Sequence, residues 1–98
     1  MKVKDIAYGK NNIDALRFFC PGCQEHHIVT INSPNSGGAC WDFNGNYEKP
    51  TLHPSVMVSS VTKVVCHSFI TDGRIQFLGD SLHALAGQTV ELPEIEMN

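Results

Sequence analysis

Four residues in this chain have the types and spacing to hold a metal ion. Cys20 and Cys23 stand two residues apart in Cys20-Pro21-Gly22-Cys23, between two strand-like segments. Pro-Gly at the centre favours a tight turn. Such a turn lets two thiolates converge on one tetrahedral ion, with Zn–S distances of about 2.3 Å. A knuckle of this kind is half a site. Cys66 and His83 supply the other half, because they flank the open end of a hairpin that turns at Asp72-Gly73. The pattern predicts one Zn2+ in a closed Cys3His site made by Cys20, Cys23, Cys66 and His83. Two histidines are alternates for the fourth ligand. His27 follows the knuckle as Cys23-x3-His27, and His67 follows Cys66. Adjacent strand residues point to opposite faces, which makes His67 the poorer partner for Cys66. Asp80 is placed to act as a base, or to orient the ring of His83 or His67.

Other readings of the same residues were weighed. A redox Cys-x2-Cys pair sits where a strand enters a helix. Here Ile28-Val29-Thr30-Ile31 turns β-branched at once, so a metal knuckle is favoured over a redox pair. Cys40 has no cysteine or histidine within four residues and is expected to be a buried free thiol. His53, between Pro50 and Pro54, is expected on an exposed loop, and His26 is expected to face solvent. Trp41 and Phe43 are assigned to the core.

The elements that must position these residues are short strands. Ala15 to Phe19 leads into the knuckle and His27 to Ile31 leads out. Ser33 to Gly38 is a loop by its turn chemistry. Trp41 to Phe43 is a short strand ending at Asn44-Gly45. Pro50 to Pro54 is a rigid connector, and Ser55 to Val61 and Lys63 to Ile70 are strands. A two-residue type I′ turn at Asp72-Gly73 pairs Thr71 with Arg74, Ile70 with Ile75, Ser68 with Phe77 and Cys66 with Gly79. Ser81 to Ala86 is expected as a short helix stopped by Gly87, and Gln88 to Leu92 as a final strand. The expected fold is mostly β, a small α+β unit of zinc-ribbon-like antiparallel hairpins with one short helix. Residues 1–98 form one zinc-binding domain in this reading, with 93–98 a loose acidic tail.

Composition narrows the role. At 98 residues the chain buries a smaller share of its surface than a large domain does, so a metal would help it fold. With 42% hydrophobic and 17% charged residues it is not a disordered chain. The net charge is -3, with 7 Lys and Arg and no basic run, which disfavours nucleic acid as a partner. No apolar run reaches the length of a membrane span. Met1 to Asp5 leads into no apolar signal segment, so a cytoplasmic, reducing compartment is expected. In that setting 4 cysteines point to metal rather than to disulfides.

With these residues in view, the chain resembles a family of small bacteriophage and prophage zinc-binding proteins, often mislabelled ammonia monooxygenase. The resemblance runs from Phe18 to Leu92. It is carried by Phe19-Cys20-Pro21-Gly22-Cys23 with His27, by Trp41-x-Phe43-Asn44-Gly45, and by Pro50-Thr51 with Pro54-Ser55. It continues through Cys66-His67-Ser68-Phe69-Ile70-Thr71-Asp72-Gly73, Asp80, His83 and Ala86-Gly87-Gln88. It implies Cys20, Cys23, His27, Cys66, His67, Asp80 and His83 as the site-forming set. It also implies a phage origin and the cytoplasm of a host cell. Ammonia monooxygenase is a membrane-embedded copper complex, and this chain lacks both a span and a thiolate-free copper cluster. The function expected is a zinc-stabilised accessory module that binds a host or phage protein, such as a defence or regulatory protein. Binding is favoured over catalysis. The alternative is a small zinc hydrolase with water as fourth ligand, its pKa lowered by the metal.

Overall fold

The computed structural model describes residues 1–9, 13–32, 34, 38–59 and 64–95. Eight strands follow one another: β1 (Lys4–Tyr8), β2 (Ile13–Cys20), β3 (Glu25–Thr30), β4 (Asp42–Phe43), β5 (Leu52–Ser59), β6 (Val64–Thr71), β7 (Arg74–Phe77) and β8 (Thr89–Glu91). They form two antiparallel sheets, one in the order β1-β2-β3 and one in the order β4-β5-β6-β7-β8. The mostly β expectation therefore holds. The pairing into a three-stranded and a five-stranded sheet does not by itself make the zinc-ribbon-like form foreseen from the sequence.

Alternation along the strands places one hydrophobic cluster between the sheets. Leu16, Phe18, Cys20 and Val29 enter it from the three-stranded sheet. Val56, Cys66, Ile70, Ile75 and Phe77 enter it from the five-stranded sheet, and Val3, Leu92 and Ile95 close it. The intervening residues of β5 and β6, among them Ser55, Met57, His67 and Phe69, fall on the outer face of the second sheet. One β-strand face thus carries core and cysteines, and the other carries the polar residues that matter below. A parallel bridge between Ile31 and Trp41 links the sheets at one end. Tail residue Ile95 is buried, and its N–H donates to the Met1 carbonyl at 2.8 Å.

The Asp72-Gly73 hairpin forms with the expected pairs Thr71–Arg74, Ile70–Ile75 and Ser68–Phe77. Both central residues have positive φ, 51° at Asp72 and 80° at Gly73, as a type I′ turn requires. The ladder stops there, and Cys66 has no strand partner on that side. Its neighbour is instead the segment after β7.

The short helix expected at Ser81 to Ala86 does not form, and there is no helix among the described residues. Six residues before a glycine give too few helical bonds to offset nucleation. The backbone groups find better partners: the Leu82 N–H donates to the Val65 carbonyl and the Gly87 N–H to the Phe77 carbonyl. Two turns result, Ala86 to His83 and Gln88 to Leu85. The Pro50 to Pro54 connector is also shorter than expected, because β5 already begins at Leu52. The His53–Pro54 peptide within it is cis.

Candidate active site and metal centre

The knuckle turn, β6 and the segment after β7 meet at one point. The ligand atoms of Cys20, Cys23, Cys66 and His83 all lie within 4.8 Å of one another. Cys20 Sγ is 3.9 Å from Cys66 Sγ, and His83 Nε2 is 3.4 Å from Cys66 Sγ. The Cys23 N–H donates to Cys20 Sγ at 3.3 Å. Phe77 packs edge-on against the His83 ring, with centroids 4.5 Å apart. Gly22 makes this approach possible, since a Cβ there would fall among the atoms of the His83 ring. Four donors converging in this way can hold a tetrahedral metal ion.

The electrostatics of the three thiols point the same way. The Cys66 thiol donates toward Cys20, and this hydrogen bond, with help from His27 and the Cys23 amide, holds Cys20 down at about 3. Burial, then the charge on Cys20, pushes Cys23 up to about 11. Cys66 rises well above the ordinary thiol range, first through the hydrogen bond it gives Cys20 and then through burial. One negative charge thus suppresses the next two until a cation neutralises them.

Neither alternate is among the four converging donors. His27 is buried close to Cys20, whose thiol it helps hold down, and packs edge-on against Phe18, with centroids 5.7 Å apart; its Nε2 has no hydrogen-bond partner. His67 faces away from Cys66, as strand alternation demands. Cys40 is exposed rather than buried and lies apart from the cluster. It follows a loop, where no strand alternation turns it inward. His53 and His26 are exposed. Trp41 and Phe43 are half-buried and pack against the core.

A second constellation occupies the outer face. Ser55 Oγ lies 2.9 Å from His67 Nε2. His67 Nδ1 lies 3.3 Å from Asp80 Oδ2. Each residue has an identifiable support. Met57 pairs directly with His67, which puts Ser55 diagonally across from the ring on the same face. The ladder shifts between Leu52 and Val56, and Ser55 sits in that irregular stretch. The Trp41 Nε1–H donates to the Ser55 carbonyl at 3.2 Å. His67 is pinned through its backbone: Ser81 Oγ accepts from its N–H at 3.0 Å and donates to its carbonyl at 3.1 Å. Ser81 follows Asp80 directly, so the same contact fixes the carboxylate near the ring. The side chain of His67 is 23% exposed and that of Asp80 55%, so the trio opens to solvent.

The order hydroxyl, imidazole, carboxylate matches a nucleophile, its base and the group that orients the base. With a proton on Nδ1 toward Asp80, Nε2 is free to accept the Ser55 hydroxyl proton. Asp80 thereby orients His67, not His83. The bland reading of each hydroxyl separates the serines. Ser81 is buried and spends both hydrogen-bonding roles on backbone, and Ser68 is buried in the core. Ser55 faces outward with its oxygen on the imidazole. In the sequence Ser55 stands only as the start of a strand and part of the Pro54-Ser55 motif, with no chemistry assigned to it. The three residues come from separate segments with no motif spacing, and only the β5–β6 register could have joined them.

Two comparisons are silent: no curated protein and no solved structure matches the chain. A family model described as the bacterial ubiquitination-like system serine protease (BubE) matches residues 2–78. That stretch holds Ser55 and His67 and stops two residues short of Asp80. The match overturns the expected function of a phage accessory module that binds a host protein, and it carries no phage link. The zinc-hydrolase alternative gives way as well. The family description is of a serine protease, and the four converging donors leave no protein-free position in the set. By a match over most of its length, this chain belongs to the family of bacterial ubiquitination-like system serine proteases, BubE.

Proposed function

We propose that this protein is a serine peptidase in which Ser55 is the nucleophile, His67 the general base and Asp80 the orienting carboxylate. One observation carries the reading: the Ser55–His67–Asp80 chain of hydrogen bonds on an open sheet face. The family description, with its ubiquitination-like system, supports a ubiquitin-like modifier or its conjugate as substrate. In the first half-reaction Ser55 Oγ bonds to the scissile carbonyl carbon while its proton passes to His67 Nε2. The tetrahedral intermediate collapses as the C–N bond breaks, and His67 returns that proton to the leaving amine. A water then attacks the acyl-serine ester, with His67 again taking and returning the proton. Asp80 stays ionised and steadies the imidazolium.

In the same reading the metal at Cys20, Cys23, Cys66 and His83 is a structural Zn2+. A Cys3His donor set suits zinc. When bound, zinc supplies a cross-link and no chemistry to the substrate. Its value is positional: Cys66 precedes His67, and His83 lies three residues past Asp80. Two members of the trio therefore hang on segments that the metal would tie together. A reducing, cytoplasmic setting suits the four free thiols.

The test is hydrolysis of a fusion between a ubiquitin-like modifier and a reporter. Wild-type protein should release the reporter, and Ser55→Ala and His67→Ala should each lose about 10³-fold or more in kcat/KM. Cleavage unchanged by Ser55→Ala would rule the reading out.

A further inference from the structure

Beyond the Ile31–Trp41 bridge each sheet has an edge with no strand partner among the described residues. β3 is the outer strand of its sheet, and β4 covers β5 only at Leu52 and His53. A cleft of about 280 Å3 opens between these edges, lined by Ile28, Thr30, Trp41, Val56, Met57 and Val58. Met57 and Val56 directly follow Ser55 in the chain.

The hydrogen-bond pattern shows which peptide groups face this cleft. The His67 N–H and carbonyl are engaged by Ser81 Oγ and the Leu78 N–H, on the side away from β5. Met57 and His67 are therefore a non-hydrogen-bonded pair, and the Met57 peptide groups point outward to the open edge. The Ser55 carbonyl, two residues earlier, points the same way and meets the Trp41 indole. Across the cleft the Thr30 carbonyl accepts from the Trp41 N–H, so alternation turns the Ile28 peptide groups inward as well. Bare edges of this kind are usually blocked by charge, proline or a covering segment. Here, among the described residues, Trp41, Val56, Met57 and Val58 line the β5 side of the cleft, which ends at Ser55, and Ile28, Thr30, His26 and His27 line the other. His27, more than nine-tenths buried, also lines the cleft, and its Nε2 has no partner.

Resting on the reading of Ser55 as the nucleophile, we infer that the substrate is an extended polypeptide that adds as a strand to the edge of β5, pairing its backbone with Met57 and seating an apolar side chain in the Trp41–Val56–Val58 cleft. A strand added at this edge lies about 4.8 Å from β5, which brings a backbone carbonyl two residues from the Met57 pair alongside Ser55. A folded domain offers unpaired backbone only along an exposed strand edge, whereas a flexible segment offers it throughout. The peptidase is thus selective for flexible tails and linkers with an apolar residue near the scissile bond over the paired interior of folded domains.

Two classes of serine-reactive probe separate this inference from the reading beneath it. An alkyl fluorophosphonate forms a bond from Ser55 Oγ to phosphorus as fluoride leaves, and it reports the trio alone. A tripeptidyl phosphonate with leucine adds the strand contacts. Wild-type protein should react about tenfold or more faster with the leucyl peptide than with an otherwise identical peptide carrying lysine, or one N-methylated at its central amide. Ile28→Lys, at a residue 43% exposed on the far strand of the cleft, puts a charge there without touching β5 or β6. It should abolish the peptidyl advantage while leaving the alkyl rate unchanged. A leucyl peptide no faster than its N-methylated or lysyl form, or an advantage that survives Ile28→Lys, overturns the inference and leaves the trio standing. Failure of the alkyl probe on wild-type protein overturns the reading of the trio, and the inference with it.

Discussion

At the scale of single residues, two kinds of neighbour decide what each side chain does. Cys66 and His67 are consecutive, yet one faces the metal centre and the other the serine, because a strand alternates. That separation was legible in the sequence, as was the convergence of Cys20, Cys23, Cys66 and His83, since cysteines are few and their spacing is informative. Ser55 was not legible. Serine is common, and nothing near it in the chain marks it as a nucleophile. Asp80 was half legible: an orienting role toward His83 or His67 was foreseen, and the structure puts its carboxylate against His67. Gly22 gives a sharp test at this scale. Gly22→Ala should drive the His83 ring off the cluster and weaken metal binding by about 10–100-fold, measured by competition with a chelator. An unchanged affinity would mean that His83 is not a ligand. The thiols give a second test. Cys23 and Cys66 are both held above the ordinary thiol range, so both must lose protons to bind metal. Metal affinity should therefore rise with pH between about 6 and 9, and metal should be lost on acidification. A flat profile in competition titrations would contradict the thiolate set.

At the scale of elements, the hairpin at Asp72-Gly73 sets where β6 and the segment after β7 lie. It was readable because Asp-Gly flanked by alternating residues is a strong local signal. The failed helix at Ser81 to Ala86 was misread for the complementary reason: its local pattern is weak, and tertiary hydrogen bonds to β6 and β7 win. β1 was missed because Lys4-Asp5-Ile6-Ala7-Tyr8 has no sustained apolar face, and pairing with β2 alone defines it. Gly73→Val should cost about 1–3 kcal/mol of stability, since a β-branched residue is strained at φ 80° and its Cβ would stand 3.1 Å from Lys49 Cα. The same change should loosen the metal, because the turn positions both Cys66 and His83. Denaturant melts and metal content measure the two effects, and wild-type values for both would show that the hairpin does not organise the site.

At the scale of the whole molecule, metal centre and serine site lie on opposite faces of one sheet and share their supports. If the metal is structural as proposed, chelation should lower the melting temperature and abolish hydrolysis together. Loss of hydrolysis with an unaltered melting curve would instead place the metal in the reaction. The division of labour explains how a chain of 98 residues can hold a solvent-open trio. In the proposed reading the core and a metal cross-link stabilise one face, and the other is left free for chemistry. The measurement that bears most directly on this is mapping of the alkyl fluorophosphonate adduct by peptide mass analysis. The expected result is one adduct per chain, on Ser55, which falls about 10³-fold in rate in His67→Ala. An adduct on Ser68, Ser81 or any other residue, or no adduct on metal-loaded wild-type protein, would contradict it.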